Sequence, residues 1–230
     1  MLSVRHRNLC APAAAGLLLP RILSALLLCC GTVLAEESTA GSGTGSADSP
    51  APQQSPQQVA GRTLEEWASD LSSPNRIVAL RAVLTIGQFG QAAADVLAEA
   101  LAHKQTGVRY WAASELGDIG SLPAAAKSRL TDLLDDDQIG VRLAAGYALC
   151  RGGQLEKSLP VLTDALSHPT RGVRNAAADF LARIGPPAKA AIPALEQALQ
   201  HQDYHTKGAA QEALLRIRAV PQSGGSQPSP

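Results

Sequence analysis

The chain has 230 residues and a formal net charge of zero, with 20 basic and 20 acidic side chains. The first 35 residues hold Arg5, Arg7 and Arg21 and no acid, so the rest of the chain carries 17 basic against 20 acidic residues, a net of −3. That balance argues against a nucleic-acid binder, which meets phosphates with a basic face. Aromatic residues make up only 3% of the chain. A core must therefore come from Ala, Leu, Val and Ile, which suits closely packed helices because Ala combines high helix propensity with a small side chain.

The N-terminus reads as an export signal. After the basic start, Ile22 to Leu34 is an uncharged run of 13 residues, and Val33-Leu34-Ala35 resembles the pattern before a cleavage site. Thirteen residues are too few to cross a bilayer core, which takes about 20. Residues 1–35 are thus expected to be a signal peptide cleaved after Ala35, giving a periplasmic or secreted product with no integral membrane span; retention as an anchor is the alternative. Three of the four cysteines (Cys10, Cys29, Cys30) fall in this segment, which leaves Cys150 without an internal disulfide partner. Residues 36–61 are Gly, Ser, Ala, Pro and Gln with almost no large apolar side chain. They are expected to form a disordered linker, as is the tail at 219–230.

Between them, residues 62–218 repeat one pattern. Gly107-Val108-Arg109…Ala112-Ala113…Leu116…Ile119-Gly120 returns from Gly140 and again from Gly172, with fainter copies around Arg76 and Lys207. The basic residues 76, 109, 142, 174 and 207 are spaced 33, 33, 32 and 33 positions apart. A fixed period of this size predicts an all-α solenoid of about five stacked helix pairs. First (A) helices are predicted near 63–71, 91–102, 123–134, 158–167 and 188–200, and second (B) helices near 74–86, 106–117, 139–150, 171–184 and 204–218. Ser158 is predicted as an N-cap, and Pro123, Pro160 and Pro193 fall in or before first turns. Gly87, Gly120, Gly152-Gly153 and Gly185 are predicted to close B helices in the left-handed conformation. Trp67, spaced helically with Leu64 and Leu71, is predicted to be core.

The Val-Arg-x-x-Ala-Ala-x-x-Leu-x-x-Ile-Gly run of the B helices, with Ile192-Pro193-Ala194-Leu195…Leu199 of an A helix, resembles HEAT repeats of the bilin-lyase-like subgroup. The resemblance implies a right-handed armadillo-like superhelix. It also implies a ladder between units, built from a turn aspartate six residues before each arginine. The residues at stake are Asp70, Arg76, Arg109, Asp136, Arg142 and Arg174. Position −6 reads Asp70, His103, Asp136, His168 and His201, so histidine interrupts the aspartate series. A neutral histidine can still accept a hydrogen bond.

No catalytic, cofactor or metal site is read from the sequence. His103, His168 and His201 recur one whole unit apart, and helices 8–10 Å apart do not bring such side chains onto one ion. There is no His-Glu dipeptide of the kind that HEAT-repeat hydroxylases use. Cys150 ends a B helix, where a thiol is not activated. Asp135-Asp136-Asp137 reads as a solvated turn, with Asp136 pairing Arg142.

Solenoids bind partners along the concave face, lined by the B helices. A helical wheel places Ile77, Arg81 and Leu84, Tyr110 and Ser114, Leu143 and Tyr147, Asn175 and Asp179, and Glu212 on one ridge, apolar and aromatic in three units and acidic in the last two. Tyr110 and Tyr147 are its expected anchors; packing between tightly stacked helices is the alternative. The functional expectation is a non-enzymatic, exported scaffold that binds a protein partner on this ridge. The alternative, implied by the resemblance, is a bilin-lyase-like enzyme or lyase accessory.

Overall fold

The computed structural model describes residues 56–219. The expected signal segment, most of the expected linker and all but the first residue of the expected tail lie outside the described residues. Among those described, ten α-helices follow in order: α1 (Leu64–Leu71), α2 (Arg76–Ile86), α3 (Ala94–Ala100), α4 (Thr106–Ile119), α5 (Ala124–Asp132), α6 (Ile139–Arg151), α7 (Leu155–Ala165), α8 (Arg171–Ile184), α9 (Ile192–Ala198) and α10 (Tyr204–Arg218). Tight 3-10 turns at Gly87–Ala93 and Pro186–Ala191 lead into α3 and α9, and another at Leu133–Asp135 ends α5. Each odd helix packs on the even helix after it, and the even helices pack in file from α2 to α10. The fold is the predicted α-solenoid of five helix pairs.

Alanine pairs hold the file together. Ala112-Ala113, Ala144-Ala145 and Ala177-Ala178 are all buried, so the B helices approach closely. Leu130, Leu162 and Leu195 fill the space from the A side and are fully buried. The stretch from Arg76 to Ala100 has the length and hydropathy of a membrane-crossing helix. It is broken at Gly90 (φ 58), and most of its apolar residues lie in this core.

Three local expectations need correction. Helix α7 begins at Leu155, so Ser158 is interior rather than an N-cap; its buried hydroxyl donates to the Gln154 carbonyl one turn back. Pro160 accordingly sits in the second turn. Gly120, Gly153 and Gly185 take positive φ, but Gly87 is right-handed (φ −55) and the chain reverses at Gly90 instead. Glycine at 87 has a packing cause: a Cβ there would lie 2.1 Å from Oε2 of the buried Glu115. Finally, residues 59–62 form a turn, not a disordered linker end. Val59 and Arg62 pair in an antiparallel bridge, and the Trp67 indole N–H donates to the Val59 carbonyl at 3.0 Å. The Arg62 guanidinium lies 4.2 Å from the Trp67 ring centre. A buried indole needs both an acceptor and a cover, and this turn supplies them, leaving Trp67 in the core as predicted.

The turn between paired helices explains the mixture of Asp and His at position −6. Asp136 Oδ1 accepts from the Gln138 backbone N–H at 2.9 Å. His103, His168 and His201 do the same through Nδ1, accepting from Gln105, Thr170 and Asp203 at 3.1, 3.1 and 3.0 Å. Either side chain thus pins the turn two residues on.

The ladder runs differently from the implied one. The carboxylate of Asp136 takes a two-pronged bond from Arg109 of the preceding unit, at 2.9 and 3.1 Å. Arg142 donates instead to the Asp136 backbone carbonyl, at 2.7 Å, which corrects the expected Asp136–Arg142 ion pair. Arg174 reaches forward to Asp203 and Thr206 at 3.4 and 3.1 Å. Asp70 pairs with Arg62 at 2.7 Å, and Arg76 is exposed. These two therefore lie outside the ladder, because no unit precedes Asp70 among the described residues and the residue after Arg76 in the series is His103.

The ion pairs set an acid limit. Burial pushes the Asp136 carboxyl upward, but the Arg109 guanidinium and the Gln138 N–H outweigh it and hold the group below the usual carboxylate range. Arg62 lowers Asp70. Desolvation pushes Asp203 upward, but the Thr206 hydroxyl and a backbone N–H outweigh it and leave that group lowered too. A carboxylate depressed on folding stabilises above its unfolded value and stops doing so as pH falls through the folded one. The melting temperature should therefore lose nothing to these groups between pH 7 and about 5 and fall below about pH 4. Asp136→Asn should melt lower at neutral pH and show a shallower acid fall.

Candidate functional site

The wheel-predicted ridge divides into an accessible part and a closed part. Ile77, Arg81 and Leu84 on α2, Asp179 on α8 and Glu212 on α10 are exposed, and Tyr110 and Asn175 are half-buried. Ser114, Leu143 and Tyr147 are buried, at 2%, 1% and 1% exposure. The expectation that Leu143 and Tyr147 form an open patch, with Tyr147 an anchor, is corrected: they pack inside.

The cause is helix α8. Phe180 stacks on Tyr147, ring centres 4.8 Å apart and 18° from parallel, and reaches Tyr110 of α4 at 6.4 Å. Arg183, one turn further along α8, lies 4.5 Å from the Tyr147 ring centre and forms an ion pair with Asp118 of α4. The same Asp118 carboxylate accepts the Tyr147 hydroxyl at 2.6 Å, and the Ser114 hydroxyl lies 3.5 Å from Arg183. Units two and four thus touch across unit three. Every residue of α6 from Leu143 to Cys150 is buried, with α7 covering another side of the helix at Gly146 and Cys150.

Electrostatics follow from this closure. Burial raises the Tyr147 hydroxyl well above its ordinary range, and the bond to Asp118 pushes the same way. Burial likewise raises Tyr110. Burial opposes the charge on Arg183, but Tyr147 and Asp118 more than offset it.

Phe180, Arg183 and Asp118 escape a wheel-based reading of the sequence, although a signal is present. One repeat position reads Asp118, Arg151, Arg183 and Arg216. A charge reversal at an equivalent position marks a pair that can meet. A wheel ranks residues by angle alone and passes over it.

Residues 64–150 and 139–215 match the family described as HEAT repeats. The chain belongs to the HEAT-repeat family. Solved structures of similar fold include the complex of CpcE and CpcF of phycocyanin lyase from Nostoc sp. PCC7120, at 23% identity and a TM-score of 0.51, covering 76% of this chain and 71% of that one. A designed armadillo repeat protein in complex with the peptide (KR)4 has 22% identity and a TM-score of 0.47, covering 67% and 81%. A comparison with curated proteins gave no match.

Within the HEAT units, Cys150 is placed for packing. The Cys150 thiol lies 3.1 Å from the Ser158 hydroxyl, and burial raises it above its ordinary range, which lowers its reactivity. Among the described residues no three His, Cys, Asp or Glu side chains gather as metal ligands. A cleft of about 660 Å³ lies between α7 and α9, on the A helices away from the ridge, lined by small and polar residues such as Thr163, Ser167, Ala194 and Gln197.

Gly117 makes the closed ridge possible. A Cβ there would lie 2.4 Å from Tyr147 Cε1 and 3.2 Å from the Ala148 backbone. Alanine in a helix interior is better than glycine by about 1 kcal/mol, but forcing a methyl against a buried, hydrogen-bonded ring costs about 1–3 kcal/mol. Gly117→Ala should therefore lower stability in urea melts, whereas Gly172→Ala, with open space around it, should raise it slightly.

Proposed function

We propose that this HEAT-repeat chain is a non-enzymatic, exported scaffold that binds a protein partner along its B-helix face. One observation carries the reading. Among the described residues the exposed large apolar side chains are Ile77, Leu84, Tyr204 and Leu215, at 76%, 36%, 81% and 63% exposure, and all four lie on B helices. Ile77 and Leu84 are two turns apart on α2 and so share a face; Tyr204 and Leu215 are three turns apart on α10, and Leu215 holds the repeat position of Leu84, so the two pairs lie on equivalent faces. Exposed apolar residues on a shared face mark interaction surfaces. Arg81 lies between the first pair, and Asp179 and Glu212 add acid toward the other end, so the face has polarity. The buried Cys150 thiol and the packing roles of Tyr110 and Tyr147 favour binding over catalysis.

Capture from extracts of the source cell tests this. Wild type should retain a defined set of proteins, and Ile77→Asp/Leu84→Asp should lose them while keeping its melting temperature, since neither side chain is in the core. An identical catch would remove the reading. Export has its own test: the mature protein should begin at Glu36 by intact mass, and a mass that includes Met1–Ala35 would place the chain on an anchor instead.

A further inference from the structure

Arg183 is held by three kinds of contact at once. Asp118 supplies a carboxylate, and Ser114 a hydroxyl at 3.5 Å. Tyr147 and Phe180 supply rings whose centres lie 4.5 and 5.6 Å from the guanidinium carbon. Aromatic faces plus a carboxylate are what a planar guanidinium selects over an ammonium, since it stacks and forks together. The recess is not sealed: the side chains of Arg183 and Asp118 are 27% and 29% exposed. The half-buried Tyr110, its ring centre 6.4 Å from that of Phe180, and the exposed Asp179 lie beside it.

Neighbour-to-neighbour stacking is what holds a solenoid together, and the α4–α6 and α6–α8 contacts already provide it. A bond from unit two to unit four is additional. It also occupies the centre of the face on which the exposed residues lie. We propose that Asp118, Ser114, Tyr147 and Phe180 form a recess for an arginine side chain of a protein partner, and that Arg183 fills it in the free molecule. The proposal rests on the protein-binding reading above and names the chemistry of the partner.

Displacement has a balanced route. Asp179 precedes Arg183 by four residues on α8, a spacing at which an acid and a base pair on a helix surface. A displaced Arg183 exchanges Asp118 for Asp179, and the partner's arginine takes Asp118, so no charge is stranded. A tethered side chain competes at an effective concentration of order millimolar. The partner must therefore bring further contacts, and Ile77, Leu84 and the acidic residues of the same face offer them. A lone arginine should not open the wild-type recess.

The test vacates the recess in the full chain. Arg183→Ala is titrated with N-acetyl-arginine amide and with N-acetyl-lysine amide, followed by NMR shifts of the Gly117, Asp118 and Tyr147 amides. The arginine amide should bind Arg183→Ala about tenfold more tightly than the lysine amide. It should give no saturable shifts on wild type over the same range, because Arg183 already occupies the recess. Adding Asp118→Asn to the Arg183→Ala chain should abolish the preference. Equal affinity for the two amides, or equal response from wild type and Arg183→Ala, would overturn the proposal. Arg183→Gln, which keeps more of the side-chain stem, repeats the measurement if the alanine variant melts too low. The outcome is separable from that of the capture experiment. Arginine preference combined with capture indifferent to Ile77 and Leu84 would keep the recess and sink the wider reading.

Discussion

One arginine nitrogen sets the geometry of each inner unit. Arg109, Arg142 and Arg174 each turn Nη1 back onto the turn that precedes their own helix, donating to the carbonyls of His103, Asp136 and His168 at 3.1, 2.7 and 2.8 Å. A turn between antiparallel helices leaves carbonyls without helical partners, and a buried carbonyl left unpaired costs about 1–3 kcal/mol. The guanidinium meets that need with one nitrogen and keeps the others for the next unit. Lysine has no fork and cannot do both. In α10, the last helix among the described residues, the position is Lys207 and is exposed.

Forward contacts from these arginines are not uniform. Arg109 is clamped to Asp136 by two bonds, and Arg174 reaches Asp203 and Thr206. Arg142 faces His168, which already uses Nδ1 for its own turn. On the opposite edge of the same helices, that junction between units three and four is where Phe180 and Arg183 bear on Tyr147. The junction whose ladder lacks a carboxylate clamp is thus the one that Phe180 and Arg183 bridge. Side chains as large as Phe and Arg fit there because α4 presents Gly117 to Tyr147 and so leaves room for the ring.

Much of this is legible in the sequence. The period, the even helices to within two residues and the Ala-lined core follow from spacing and composition, because a repeated interface imposes the same residue types at each copy. The exchange of His for Asp is visible, but its reason is not: it depends on Nδ1 reaching the same backbone N–H as a carboxylate oxygen. The ladder lies one unit away from its expected place, since a sequence offset says which residues are near a turn and not which side of it a carboxylate faces. Tyr147 departs from expectation for a related cause. A wheel gives an angle around one helix, whereas burial of Tyr147 depends on Phe180 and Arg183, which α8 brings from the next unit. Ser158 looks like a cap because a serine shortly before a proline resembles a helix start, yet Gly152-Gly153 has already ended α6 and lets α7 begin at once.

Repeat equivalence turns the exposed residues into something more than surface scatter. Ile77, Tyr110 and Leu143 occupy one position in successive units, and their exposure falls from 76% in the first to 1% in the third. What changes is the cover: α6 packs between α4 and α8, whereas among the described residues α2 has an even helix on one side alone. Leu215 stands to α10 as Gly117 does to α4, and Gly117 meets Tyr147 of the next unit along. In a bare solenoid end both positions would be polar, as Gln211 and Glu212 near Leu215 are, since a terminal unit must tolerate water. An isoleucine and a leucine there keep the character of positions that are covered further along the file. Among the described residues the first and last B helices thus retain an interior-type residue on an exterior site, with the Arg183–Asp118–Tyr147 cluster between them, and a partner laid along this face would meet all three.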